Sequence, residues 1–268
     1  MIVRFDDLSA PELAPFACLT GRQLLNRDIF IAESENVILS ALEAGVEPVS
    51  LLCEERHICG KAASLIQKLG DTPVYTAPDE VLASLTGYAL SRGMLCAMKR
   101  PKMPDAAEIL GKIALNKAKC RVAVLDNVLD AENIGAIIRS AAALGADGVF
   151  MTPDCTDALS RRAARVSMGA VFRVPVCSIP KLENGGAQLL RHFGFTVCAL
   201  ALDRRSENIR DINASRLALV LGNEGRGLSS ETLAACDKTA IIPMHAGTDS
   251  LNVAAAAAVA LWEFCRPE

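Results

Sequence analysis

Three stretches of the chain set polar and charged side chains at the ends of apolar runs. The first, LDNVLDAENIGAIIRSAAALGADGVF, leaves a strand at Asp126 and Asn127, opens a helix near Asn133 and Gly135, and carries Arg139 along it. Six residues separate Asn133 from Arg139, a rotation of ~600° or ~120° off a shared helical face. An arginine on an apolar helix face is costly without a partner, so Arg139 has a plain structural reading, paired with Asp126, Asp130 or Glu132. The second stretch, LALVLGNEGRGLS, runs from a strand into Gly222-Asn223-Glu224-Gly225-Arg226-Gly227. Its glycines permit close backbone approach to a ligand, although a tight strand-to-helix loop would also use them. Glu224 needs a partner there, and Arg139 is a candidate that would join the first stretch to the second. The third, IIPMHAGTDSLNVAAAAAVALWEF, ends a strand at Ile242-Pro243-Met244 and starts an alanine-rich helix around Ser250, Leu251 and Asn252. A cap needs only one Ser, Asp or Asn, yet Asp249, Ser250 and Asn252 crowd this turn. Helix N-terminal N–H groups favour carboxylates and similar acceptors.

The elements that would position these residues alternate along the chain. In the first hundred residues DIFIAES, VSLLCEE, TPVYTA and GMLCAMKR predict strands with helices between them, a small α/β unit. RPKMPDAAEILGKIALNKAK, with two prolines and four lysines, is expected to be a linker with some helix. Beyond it RVAVLD, GVFMT, RVPVCSI, TVCALAL, LALVLG and TAIIPM predict strands, with helices beginning near Asn133, Ala158, Gly186, Ser229 and Ser250. Strands this apolar are buried on both faces, as in a mostly parallel sheet whose sites lie at the strands' carboxyl ends. The predicted division is 1–103, a linker at 104–118, and 119–268.

Composition narrows the function. Of 268 residues, 51% are hydrophobic and 22% charged, enough to bury a core and too apolar for disorder. Residues 1–104 carry 10 basic and 13 acidic groups and the remainder 18 of each, so neither part has the basic excess of a non-specific nucleic-acid binder. A local patch is still compatible: Arg161, Arg162 and Arg165 share a helix face in SRRAARVSMGAVFR, with Arg22 and Arg27 as a second pair. A solvated helix face is the alternative. Ten cysteines contain no C-x-x-C pair, which predicts reduced thiols and no metal. No signal core and no apolar run of ~20 residues is visible, so an intracellular, cytoplasmic protein is expected. His57 and His192 are expected at the surface and His245 near the site.

In this order and spacing the three stretches resemble the motifs of the SpoU (TrmH) family within the SPOUT superfamily, over about residues 120–266. Residues 1–100 are similar to the L7Ae/L30e-like RNA-binding unit found in several such enzymes. The resemblance implies an α/β fold with a deep trefoil knot made by the loops after LVLG and IIPM plus the last helix. It implies transfer of a methyl group from S-adenosylmethionine to a ribose 2′-hydroxyl, in rRNA rather than tRNA, by a homodimer. Asn133, Arg139, Glu224, Ser250 and Asn252 match the catalytic motif positions. Leu221, Gly222, Asn223, Gly225, Ile242, Met244 and Leu251 match those around the cofactor, and Arg161, Arg162, Arg165, Arg22 and Arg27 are the candidates for RNA contact. Two positions depart from the family: Ala131 stands where proline is frequent, and Ala254 where a second serine is.

In-line transfer is a positioning problem, and the hydroxyl must lose its proton. A guanidinium does not normally deprotonate in proteins. Arg139 is therefore expected to clamp the ribose-phosphate and favour the alkoxide electrostatically, oriented by Glu224 and Asn133. Two alternatives stand beside this reading, a SPOUT base methyltransferase and a non-catalytic RNA-binding protein. The lack of G-x-G-x-x-G after the first strand argues against a nicotinamide dehydrogenase.

Overall fold

The computed structural model describes residues 2–5, 9–17, 24, 26–87, 93–203, 206–245 and 250–265. The chain forms two compact units: Met1–Lys102 with Leu159–Gly169, and Met103–Ala158 with Ala170–Glu268.

The first unit holds β1 (Ile2–Arg4), β2 (Ile29–Glu33), β3 (Pro48–Glu54), β4 (Val74–Ala77) and β5 (Met94–Lys99) in the order β1-β4-β3-β5-β2. β1, β4 and β3 run parallel, while β5 is antiparallel to both β3 and β2. Helices α1 (Glu35–Glu43), α2 (Ala63–Leu69) and α3 (Asp79–Thr86) fill the connections. Leu13, Ile31, Leu52, Leu82 and Leu95 pack into one of its cores. At the end of β2, Glu33 is buried and accepts a hydrogen bond from Arg165 Nη1 at 3.2 Å, with Arg161 Nε at 3.8 Å. Both arginines lie on a short helix, Arg161–Val166, inside the segment that joins this unit from 130 residues further along the chain. Gly169, at φ +82°, seats that segment: a Cβ there would stand 2.5 Å from Ser40 Oγ. Ser34, next to Glu33, holds φ 89° and ψ 151°, a region that suits glycine, and its hydroxyl is buried without a hydrogen-bond partner.

The second unit is a seven-stranded, fully parallel sheet in the order β10-β12-β9-β11-β6-β7-β8, made of β6 (Cys120–Leu125), β7 (Gly148–Met151), β8 (Val176–Ser178), β9 (Thr196–Leu200), β10 (Glu207–Asn208), β11 (Arg216–Leu221) and β12 (Lys238–Ile241). Its helices are α4 (Ala106–Asn116) and α5 (Ala131–Leu144), then, after the Arg161–Val166 helix (α6), α7 (Gly186–His192), α8 (Ser230–Ala235) and α9 (Val253–Cys265). The expected linker is thus largely helix. Asp105 caps it by accepting from Glu108 N at 2.9 Å, and Ala106 and Leu110 are buried in the core beside Val122, Phe150 and Leu190. Its lysines point outward, so its apolar stripe was diluted in the sequence by residues that face solvent.

Helix α5 begins at Ala131 rather than at Asn133, because Asp130 is the cap, accepting from Glu132 N at 2.8 Å. Asn133 lies in the first turn and is buried. Arg139 is exposed rather than set in the apolar face. The ~120° offset between them is what separates the two. His57 also differs from expectation. Its ring is largely covered, 3.4 Å from buried Glu54 and against Gly93, whereas His192 is at the surface.

The nine described cysteines are free. Burial pushes the Cys96, Cys198 and Cys236 thiols up to about 12, and those of Cys53 and Cys177 up to about 11, so at neutral pH these are packing groups and not nucleophiles. No helix among the described residues is long and apolar enough to cross a membrane.

Candidate active site

A cavity of about 550 Å3 opens at the carboxyl ends of β9, β11 and β12. The location follows from the sheet: parallel strands end in loops on one edge, and helices start there. The volume falls within the ~300–1,000 Å3 of small-molecule sites. Leu221 lines it from the end of β11 and Gly222, Asn223 and Gly225 from the loop that follows; Ile242 and Met244 line it from the segment after β12. Ser250, Leu251 and Asn252 close it at the start of α9. All seven residues expected around a cofactor therefore face one space.

The loop after β11 is held at several points. Asn223 Oδ1 accepts from Gly225 N at 2.9 Å and Arg226 N at 3.0 Å, and Asn223 and Gly227 exchange backbone hydrogen bonds. Asn223 Nδ2 donates to Asn127 O at 2.9 Å, where Asn127 takes φ 55°. Glycine is required at Gly222: a Cβ there would stand 2.7 Å from Gly227 C and 2.8 Å from Leu228. The backbone is folded back on itself so tightly that no side chain fits.

Glu224, Asn133 and Asn252, one from each stretch, form a single hydrogen-bonded chain. Glu224 Oε1 accepts from Asn133 Nδ2 and from Asp130 N, both at 3.0 Å, and Oε2 accepts from Leu129 N at 3.3 Å. Asn252 Nδ2 donates to Asn133 Oδ1 at 3.0 Å. Asn252 Oδ1 accepts from Ala254 N at 2.9 Å and Ala255 N at 3.3 Å, which makes it the cap of α9. An amide offers both a donor and an acceptor. Asn133 can therefore satisfy the carboxylate on one side and the capping amide on the other. Partial burial pushes the Glu224 carboxyl up, but the hydrogen bonds from Asn133 and the backbone outweigh it and hold its pKa below the ordinary carboxylate value.

Arg139 does not join this chain. Among the described residues no hydrogen bond or ion pair links it to Glu224, to Asn133 or to the nearby aspartates. Asp126 accepts instead from Thr232 Oγ1 at 2.8 Å, fastening α8 to the end of β6. In place of the candidate Arg139–Glu224 contact the structure has Asn133–Glu224, with Arg139 exposed on α5 about 120° around the helix from Asn133. Ser250 is exposed and precedes α9; Asp249 and Arg22 lie outside the described residues. His245 is exposed beside Met244. Of the arginines expected to meet RNA, Arg27 is exposed, whereas Arg161 and Arg165 share their charge with Glu33.

Leu200, Ala201, Leu202, Ala256 and Arg226 also line the cavity and were not singled out from the sequence. The signal for the first three was available. TVCALAL stops abruptly at charged DRRSEN, a strand end on the same edge of the sheet as the other two loops.

Comparison with known proteins agrees with this geometry. Residues 121–262 match the SpoU rRNA Methylase family. The chain is 35% identical to a protein of Mycobacterium bovis described as an uncharacterized tRNA/rRNA methyltransferase, across 98% of this chain and 87% of that one. It is 33% identical to the 23S rRNA (guanosine-2′-O-)-methyltransferase RlmB of Acinetobacter baylyi, across 72% of this chain and 78% of that one. Its fold is similar to that of the AdoMet-bound rRNA methyltransferase from Sinorhizobium meliloti, with a TM-score of 0.81 at 24% identity, covering 98% of this chain and 97% of that one. The chain belongs to the SpoU rRNA methylase family and is, by that membership, an RNA methyltransferase.

Proposed function

We propose that the protein transfers the methyl group of S-adenosylmethionine to a ribose 2′-hydroxyl, in rRNA rather than tRNA, as a cytoplasmic homodimer. The observation that carries this reading is the strand-end cavity, lined by the second and third family motifs, to both of which the first is tied through Asn133. S-adenosylmethionine suits it. The space is of small-molecule size, its lining mixes apolar side chains with main chain, and the Gly222 turn brings backbone to the ligand without a side chain between. Leu221, Gly222, Ile242, Met244 and Leu251 would hold the cofactor, with Asn223 and Gly225 shaping the turn. The cofactor supplies an electrophilic methyl on a sulfonium and leaves as a neutral thioether, so no acid is needed for departure.

The protein's own contribution is placement and the handling of one proton. Glu224, Asn133 and Asn252 lock the loop after β11 to the starts of α5 and α9, which fixes the walls between which the acceptor oxygen is presented. Ser250 lines the same mouth and offers a hydroxyl to the substrate. Arg139 clamps the ribose-phosphate and favours the alkoxide as the proton leaves. It lies on the exposed side of α5, the helix packed against α9. α9 exposes Val259 and Trp262, at 44% and 60%. The homodimer in this reading covers these faces and brings Arg139 to a site. The trefoil knot belongs to the same reading, formed by the segments after β11 and β12 with α9. So does RNA contact by the first unit, through Arg22 and Arg27, and by Arg161, Arg162 and Arg165. The similarity to RlmB, named for 2′-O chemistry on 23S rRNA, supports the choice of ribose and of rRNA.

Cofactor binding is tested by calorimetric titration with S-adenosylmethionine. Ala256→Phe, which fills the cavity from α9, is expected to weaken binding more than tenfold while the melting temperature stays near wild type. Equal affinity in the two proteins would remove this cavity from the account.

A further inference from the structure

The turn after β11 displays one cation that the site's own chemistry leaves unused. Arg226 is exposed, lines the mouth of the cavity, and has no hydrogen-bond or ion-pair partner for its guanidinium among the described residues. Its backbone, by contrast, is fixed. Arg226 N donates to Asn223 Oδ1, the Asn223–Gly227 backbone bonds close the turn around it, and Asn223 Nδ2 fastens the turn to Asn127 O. The nearest carboxylate in sequence, Glu224, does not neutralise it. Both Glu224 oxygens are engaged on the other side, by Asn133, Asp130 and Leu129. A positive charge is therefore held on a stiff loop at the entrance to the site, with no anion paired to it among the described residues.

The substrate class supplies that anion. A ribose whose 2′-oxygen enters the cavity carries a phosphate on the adjacent 3′-carbon, so a phosphodiester must lie within a few ångströms of the mouth. A guanidinium meets two phosphate oxygens with paired N–H donors. We infer that Arg226 is the positioning residue that holds the phosphate flanking the target ribose; this rests on the ribose-methylation reading above. Arg226 lies outside the Glu224–Asn133–Asn252 chain, so its loss leaves the cavity walls in place.

The test compares wild type with Arg226→Ala and Arg226→Lys. Affinity for S-adenosylmethionine alone is measured by calorimetry, and filter binding to unmodified in vitro transcribed 23S rRNA is measured from 50 to 300 mM salt. Arg226→Ala should keep cofactor affinity within twofold and weaken RNA binding about fivefold or more at low salt. It should also reduce the slope of log affinity against log salt by about 0.7, the share of one phosphate contact on single-stranded RNA. Arg226→Lys should restore the slope. Unchanged RNA affinity and slope in Arg226→Ala would overturn the inference, as would lost cofactor affinity with RNA binding intact, which would give the arginine to the cofactor. Wild type that binds the rRNA but methylates no ribose would sink the proposed function, while the binding comparison still decides the role of Arg226. Wild type that binds no rRNA would sink both.

Discussion

Glu224 is the residue on which the three loops converge, and its ionisation can be followed. Its pKa is held below the usual ~4.3 of a glutamate. A depressed folded-state value means that its bonds contribute fully above the unfolded-state pKa and are lost as pH falls through the lower folded-state one. The backbone amide resonances of Leu129 and Asp130, which donate to this carboxylate, should shift with a midpoint below the ordinary glutamate value. A midpoint near or above pH 5 would contradict the arrangement. The sequence singled out Glu224, Asn133 and Asn252 and offered Arg139 as a candidate partner for Glu224, whereas the structure pairs Glu224 with Asn133. The chemistry of a residue type was legible. That Asn133 rather than Arg139 meets Glu224 depends on where α5 begins, and the Asp130 cap sets that start at Ala131 rather than at Asn133.

At the scale of elements, the central strands were legible because they are buried and read as continuous apolar runs, whereas the short, exposed β1 and β10 carry no such run and were not expected. Helix α4 was not, because its lysines and the preceding prolines obscured an apolar stripe only two turns long. The turn from β2 into α1 gives a test at this scale. Ser34 sits at φ 89° and ψ 151° with a buried, unpartnered hydroxyl, where glycine would be unstrained. Ser34→Gly should stabilise the protein by about 1–2 kcal/mol, read as a higher urea midpoint at an unchanged m-value. A loss of stability would mean that the hydroxyl has a partner that the backbone strain sustains. No feature of the run IAESENV reveals this strain, since serine there also reads as an ordinary helix cap.

For the whole molecule, the least legible feature was the return of Leu159–Gly169 to the first unit. The Glu33–Arg165 pair spans 132 residues, and no local pattern encodes contacts at that separation. The arginines instead looked like a surface patch. Homodimer formation through α9 is the other statement at this scale. Trp262→Asp should convert a dimer to a monomer in sedimentation velocity runs at micromolar concentration, without loss of helical circular dichroism. A variant that remains dimeric would place the interface elsewhere.

The central claim is methyl transfer to a ribose, and its most direct test is the position of the label in the product. Purified protein is incubated with tritiated S-adenosylmethionine and, separately, unmodified rRNA and tRNA. The RNA is then digested with alkali, which cannot cleave next to a 2′-O-methylated ribose. The account predicts tritium in alkali-resistant dinucleotides from rRNA. Label confined to mononucleotides would show base methylation and contradict it.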